Sequence, residues 1–234
     1  MPTPARYLIV NADDLGASAR VNRGILEAHE QGVVTSASLM VDMPGAQDAA
    51  SLRQRAPQLS VGLHATLTSE EGELVVEPGE SREALERQLQ RFEALIGRPP
   101  THLDSHHNVH LEYPVLGEIF GELAAELGVP LRARSVARYY ADFYGQWDDG
   151  ESHPELVSVE SLLETLEREV GPGVTELGCH PGYAGDGFES SYLLEREAEV
   201  RALCDPRVRE RAEALGIELV SFARLAEIAH ELEV

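Results

Sequence analysis

Lysine is absent from this chain: all 19 basic residues are arginine, set against 41 aspartates and glutamates for a formal net charge of −22. Without an ε-amine there is no Schiff-base catalysis, no Ser–Lys dyad and no P-loop lysine on a phosphate. The arginines form no basic cluster, so neither a nucleic-acid backbone nor an anionic membrane meets the cations that would neutralise it. Cysteine is equally scarce. Cys179 and Cys204 are too few for a disulfide scaffold and form no C-x-x-C pair. No apolar run approaches the ~18 residues of a membrane span, and the opening MPTPARYLIV holds too short a run for a signal peptide. The dinucleotide fingerprint G-x-G-x-x-G, the nucleophile elbow G-x-S-x-G and the zinc-protease H-E-x-x-H are missing too. The expectation is one cytoplasmic domain over residues 1–234, with no nucleic-acid or membrane partner and no Ser or Cys nucleophile.

What is present is an alternation of short apolar runs with longer stretches of helical period. Residues 7–10, 35–40, 60–67, 102–105, 129–132, 174–179 and 217–221 read as strands. Residues 21–31, 46–55, 82–96, 114–127, 159–170, 191–215 and 225–232 read as helices. Strands joined through helices run parallel, so the pattern predicts an α/β fold, a (β/α) barrel of about seven parallel strands. An open doubly wound sheet is the alternative. The stretch 135–154, with Tyr139, Tyr140, Phe143, Tyr144 and Trp147, is the least regular and reads as a surface loop near a site.

Ionisable residues gather just after the predicted strands, where a (β/α) barrel carries its active face. Asp13 and Asp14 follow the first strand, and His64 lies in the third. Asp104, His106, His107 and His110 follow the fourth, Arg132 ends the fifth, and His180 follows the sixth. An Asp pair suits helix capping, but adjacent carboxylates point to different sides. One can then bind a metal while the other accepts a proton. The segment THLDSHHNVH holds four of the nine histidines, and His is the commonest side-chain ligand of transition metals. His106 and His110, four residues apart, would converge on a helix that starts there. One Asp and two His from separate strands form a facial site with open positions, suited to Zn, Fe(II), Mn or Mg, and hydrolysis needs such an opening. His180, in GCHPGY, is a general-acid candidate, and Arg132 a natural partner for a carboxylate.

The strings LIVNADDLG, GVVTSASLM, VGLHATLT, THLDSHHNVHL and ELGCHPGY occur in this order, and with them the chain resembles the YdjC-like (ChbG-type) carbohydrate deacetylases from residue 7 to about residue 183. The resemblance implies a distorted (β/α) barrel related to polysaccharide deacetylases. It also implies metal-dependent removal of N-acetyl groups from amino sugars such as chitin oligosaccharides, with one divalent cation, Mg or Zn, and a homodimer. Carried over by position, the metal ligands are Asp14, His64 and His106, the general base is Asp13, Arg132 is the base's partner and His180 the catalytic acid. Asp104 would orient a ligand His through its second nitrogen, with His110 close but outside the shell. The chain departs from the family at Asn108, where a third consecutive His is frequent, and at Leu15, where Phe is frequent. Few aromatics lie between His64 and His106. These departures bear on the length of sugar bound and touch no proposed ligand. Two other readings are a different metal-dependent hydrolase (phosphoesterase or amidohydrolase) and a catalytically silent sugar-binding protein.

Overall fold

Backbone N–H and C=O groups shut away from water must pair with one another, and in this protein they do so across a seven-stranded sheet. The computed structural model describes residues 4–69, 72–147, 150–185 and 190–232. The strands are β1 (Arg6–Leu15), β2 (Ser36–Leu39), β3 (Ser60–Ala65), β4 (Leu103–Ser105), β5 (Ala137–Tyr140), β6 (Gly173–Cys179) and β7 (Ile217–Val220). Their order is β4-β3-β2-β1-β6-β5, with β7 also on β1, and every pairing is parallel. β1 is the hub. One edge pairs with β6 over residues 6–12; the other meets β7 over residues 6–9 and β2 from Asn11 onward. All of β1 after Arg6 is buried, which is why YLIV reads as a continuous apolar run.

Helices α1 (Ala19–Glu30), α2 (Ala46–Arg55), α3 (Ser81–Ile96), α4 (Val109–Glu112), α5 (Pro114–Leu127), α6 (Val159–Arg168), α7 (Leu194–Cys204), α8 (Pro206–Ala214) and α9 (Leu225–Leu232) complete the fold. α1 starts where Ser18 accepts the Val21 N–H and buries Val21, Ile25, Leu26 and Ala28, the stripe its periodicity predicts. The result is a parallel α/β half-barrel whose strand ends share one rim. Among the described residues, no helix is long and apolar enough to cross a membrane.

Two elements differ from the sequence reading. Residues 129–132 form no strand: Leu103 and Leu131 make a single bridge. Pro130 has no N–H to continue a ladder, and Ala133 at φ 57° turns the chain away. The fifth strand is instead Ala137–Tyr140, inside the stretch read as a loop, where ARYY pairs with β6. The long helix read over residues 191–215 breaks into α7 and α8, because Pro206 opens a new helix and Asp205 caps it through the Arg207 N–H.

Candidate functional site

Between Ala12 and Leu15 the register of β1 on β2 slips, and Asp14 takes a left-handed φ of 65°. Such a bulge re-aims consecutive side chains, and the two aspartates part. Asp13 faces Arg132: its Oδ2 accepts from Nη1 and its Oδ1 from Nη2, both at 2.7 Å. Asn11 Nδ2 donates to Oδ1 as well, at 2.8 Å. His180 Nε2 lies 3.9 Å from Asp13 Oδ2. Asp14 faces the histidines: its Oδ1 lies 3.4 Å from His64 Nε2 and 3.3 Å from His106 Nδ1, with no hydrogen-bond partner of its own. Its Oδ2 accepts from Arg196 Nη2 at 2.6 Å. Burial would raise the Asp14 carboxyl, but Arg196, with His106 and His64, holds it well below the usual carboxylate range.

The donor atoms of Asp14, His64 and His106 all lie within 4.8 Å of one another. Ligands bound to one cation at roughly 2.1 Å stand about 3.0–3.4 Å apart; the 3.3 and 3.4 Å separations fit that spacing around an oxygen with no other partner. The donor set suits a small divalent ion, two imidazoles favouring Zn and the carboxylate suiting Mg as well. His64 Nδ1 hydrogen-bonds Asp104 Oδ1 at 2.7 Å, the carboxylate–imidazole pairing usual around metal-bound histidines. Burial would lower the His64 pKa, yet Asp104 and Asp13 lift it to about 10, so a cation must displace a proton there. Asp13, His64 and Asp104 also cluster, but Arg132 occupies Asp13 and the Asp104 carboxylate serves His64, Ser38 and Arg132. The Arg132 cation, set against both of these carboxylates, repels a second cation there.

After β4, His107 (φ 54°) and Asn108 (φ 51°) are both left-handed, a turn that leaves His106 facing Asp14. His107 hydrogen-bonds Thr68 Oγ1 through Nδ1 at 3.0 Å, and its ring lies 3.9 Å from that of His106. The pairing of His106 with His110 does not form. A distorted 3₁₀ turn separates them before α4 begins, so helical spacing does not carry through. His110 is buried behind the rim, its Nδ1 on Ser105 Oγ at 2.5 Å and its ring 5.3 Å from Phe120.

Arg132 is fully buried, although it lies outside any strand. It binds Asp13 through two nitrogens, Glu176 Oε1 through Nε at 2.7 Å, and Asp104 Oδ2 at 3.1 Å. The Tyr139 ring sits 4.6 Å from its guanidinium carbon. Three carboxylates around one cation leave excess negative charge, and burial pushes the Glu176 carboxyl up to about 7. Ser38 links this cluster together, donating to Asp104 Oδ2 at 2.5 Å, accepting from Asn11 at 2.8 Å and meeting His102 Nε2 at 3.0 Å. Asn11, Ser38 and Glu176 are single polar residues inside strands and carry no motif of their own, and nothing in the sequence sets His102 apart from the other histidines of its segment.

The His180 ring meets Tyr144 and Tyr192 edge-on, its centroid 5.5 Å from each, and burial lowers its pKa to about 4. Tyr192 donates to Glu199 Oε1 at 2.5 Å, and Glu199 also accepts the His180 N–H. Asp13, Asp14, His64, His106, His180 and Tyr192 open on one cleft of about 1270 Å³, which Tyr139, Tyr144 and Trp147 of the 135–154 stretch also line. The aromatics of that stretch therefore divide. Phe143 is buried in the core, and Trp147 is 56% exposed at the rim.

Burial raises the Glu199 carboxyl from 4.5 to about 8, which gives a pH prediction. A raised carboxyl contributes stability that is full below its unfolded pKa and lost as pH climbs through the folded value. His102, His107, His110 and His180, each lowered to about 4, act in the opposite sense. Their effect is complete once the unfolded histidines have titrated near pH ~6.5. Raised His64 adds to the alkaline decline, so the Glu199 share is read as a difference. Between about pH 6.5 and about pH 9, wild type should lose a few kcal/mol more stability than Glu199→Gln. Equal slopes in thermal or urea denaturation would show that Glu199 is ionised throughout.

A parallel half-barrel with an Asp pair on its first strand and histidines from three more on one rim has the architecture of a polysaccharide-deacetylase-type barrel. The fold superposes on a family 4 carbohydrate esterase from Streptomyces lividans with a TM-score of 0.59 at 14% identity, over 94% of this chain and 93% of that one. At that identity the likeness is one of fold alone. A protein of known structure from Enterococcus faecalis V583 gives a TM-score of 0.82 at 29% identity, covering 94% of this chain and 99% of the other. The YdjC-like protein family matches residues 7–214, and the chain belongs to that family. It is 38% identical to a carbohydrate deacetylase of Geobacillus stearothermophilus, over 93% of this chain and 97% of the relative. It is 35% identical to a chitooligosaccharide deacetylase of Serratia marcescens, over 94% and 99%.

Proposed function

We propose that the protein is a metal-dependent deacetylase that hydrolyses the acetamide of an N-acetylated amino sugar or a short chitin-type oligosaccharide. The observation that carries this reading is the pairing of Asp13 with His180 across 3.9 Å, beside the Asp14–His64–His106 cluster, in one open cleft. The deacetylase relatives support it. In this reading Asp14, His64 and His106 hold one divalent cation, which supplies Lewis acidity toward the acetamide carbonyl and water. Asp13 is the base. Arg132 and Asn11 fix its carboxylate, while Oδ2, which accepts one hydrogen bond, keeps a lone pair for the proton of the attacking water. His180 Nε2 faces the same gap; with its pKa lowered to about 4 the ring is neutral at rest, and it relays the proton taken up by Asp13 to the departing amine. The stacked Tyr144–Tyr192 pair, 4.6 Å apart, and exposed Trp147 offer faces for a sugar ring. A phosphoesterase would need cations turned toward the cleft, and the two arginines buried among the described residues, Arg132 and Arg196, are committed to aspartates. The setting we propose is cytoplasmic and the assembly a homodimer, which sedimentation velocity tests.

The direct test is acetate release from di-N-acetylchitobiose and a panel of N-acetylated sugars, with metal occupancy measured. No release from any of them at full occupancy sinks the reading. The ligand assignment is tested separately by metal content. His64→Ala and His106→Ala should lose the ion, whereas Asp104→Asn, which loosens only the ring orientation of His64, should weaken binding by about 10–100-fold. Full stoichiometry in His106→Ala would move the site elsewhere.

A further inference from the structure

The stretch 191–215 reads as ordinary helix, yet α7 turns Glu195, Arg196 and Glu199 inward, at 1%, 3% and 0% exposure. Buried polar groups are costly unless hydrogen-bonded, and each of these finds a hydrogen-bond partner at the rim. Glu195 accepts from Gln146 Nε2 at 3.1 Å. Glu199 accepts the His180 N–H. Arg196 donates through Nη1 to the His180 carbonyl at 3.3 Å and through Nη2 to Asp14 Oδ2 at 2.6 Å. One turn of α7 thus grips both backbone hydrogen-bonding groups of His180 and one oxygen of Asp14. The loop that carries His180 has no slack. A Cβ at Gly24 of α1 would lie 2.5 Å from the Gly182 Cα, and one at Gly182 would lie 3.2 Å from the Arg196 Cδ.

We propose that Arg196 is a positioning residue that holds Asp14 to coordination through Oδ1 alone and thereby sets which cation the site accepts. The selectivity claim rests on the metal-site assignment made above, and the deacetylase reading enters only through turnover. A carboxylate with one oxygen taken by a guanidinium offers a single ligand atom, which satisfies a small four- to six-coordinate ion. Calcium takes six to eight oxygens and favours carboxylates that chelate through both. Arg196 therefore disfavours large, hard cations by occupying the oxygen they would use.

The test is titration calorimetry of metal-free wild type, Arg196→Met and Arg196→Lys with Zn²⁺ and with Ca²⁺. In Arg196→Met, which keeps the bulk and frees Oδ2, the preference for Zn²⁺ over Ca²⁺ should fall by about tenfold or more, in the range of outer-shell effects on metal sites. Arg196→Lys, with a single ammonium in place of the fork, should fall between the two. Turnover gives an independent readout: kcat in Arg196→Met should drop by roughly tenfold or more with KM nearly unchanged, the pattern of a lost transition-state interaction. An unchanged Zn²⁺/Ca²⁺ ratio in Arg196→Met overturns the proposal. If that variant does not fold, an unchanged ratio in Arg196→Lys does the same. A shifted ratio in a protein whose wild type releases no acetate would leave the positioning role standing and remove the deacetylase reading instead.

Discussion

Asp13→Asn should abolish acetate release while the protein keeps its metal. Asn has the shape of Asp but cannot take up a proton at Oδ2, so the loss of a general base lowers kcat by about 10²–10⁴-fold. The donor atoms of Asp14, His64 and His106 are untouched, so one ion per chain should remain by elemental analysis. The amide also places an NH₂ against the Arg132 fork that now donates to both carboxylate oxygens, which costs some stability without emptying the cluster. A silent sugar-binding protein would bind the same sugars unchanged in this variant. Full turnover in Asp13→Asn would assign the base elsewhere.

The largest structural effect is expected from Arg132→Met. The guanidinium is shared by Asp13, Asp104 and Glu176, all buried, and its removal leaves their charges facing one another in a poor dielectric. Breaking one buried pair costs about 3–5 kcal/mol. For a chain of this size that lowers Tm by roughly 6–20 °C. Arg132→Lys should rescue little, because an ammonium cannot reproduce the fork on Asp13 while also reaching Glu176. Adding Glu176→Gln to Arg132→Met should recover part of the loss. The Glu176 carboxyl, pushed up to about 7 by burial, is already partly neutral at that pH, and its Oε2 has no partner. A Tm within a degree or two of wild type in Arg132→Met would mean that the three carboxylates hold protons in place of the cation.

The parts of the fold legible in the sequence are those in which one physical signal dominates. β1, β3 and β6 are apolar runs buried on both faces, and α1 and α5 end at a glycine or begin at a capping residue or proline. β5 was hidden because ARYY is half-exposed and carries no apolar run, while residues 129–132 imitate a strand until Pro130 and left-handed Ala133 are taken into account. The break between α7 and α8 was written in Asp205–Pro206, a capping residue followed by a proline. At the site, Asp13, Asp14, His64, His106 and His180 could be named because each lies in or beside a strand end within a recognisable string, whereas Arg132 reads as the end of a strand that does not form. Arg196 and Glu199 could not be named. A charge on a helix ordinarily marks the face toward water, and only the docking of α7 on the His180 loop turns these two inward. His110 misled for a different reason: four-residue spacing implies a shared face only in a regular helix, and two left-handed residues stand between it and His106.

On the proposed reading, one cation held by Asp14, His64 and His106 makes the Asp13–His180 pair a deacetylase. It is tested most directly by titrating Zn²⁺ or Mg²⁺ into chelator-treated protein while acetate release from di-N-acetylchitobiose is followed. The expected result is no release without metal, a rate that rises in proportion to occupancy, and a plateau at one ion per chain. Acetate release at full rate from the metal-free protein, or none at full occupancy, would contradict it.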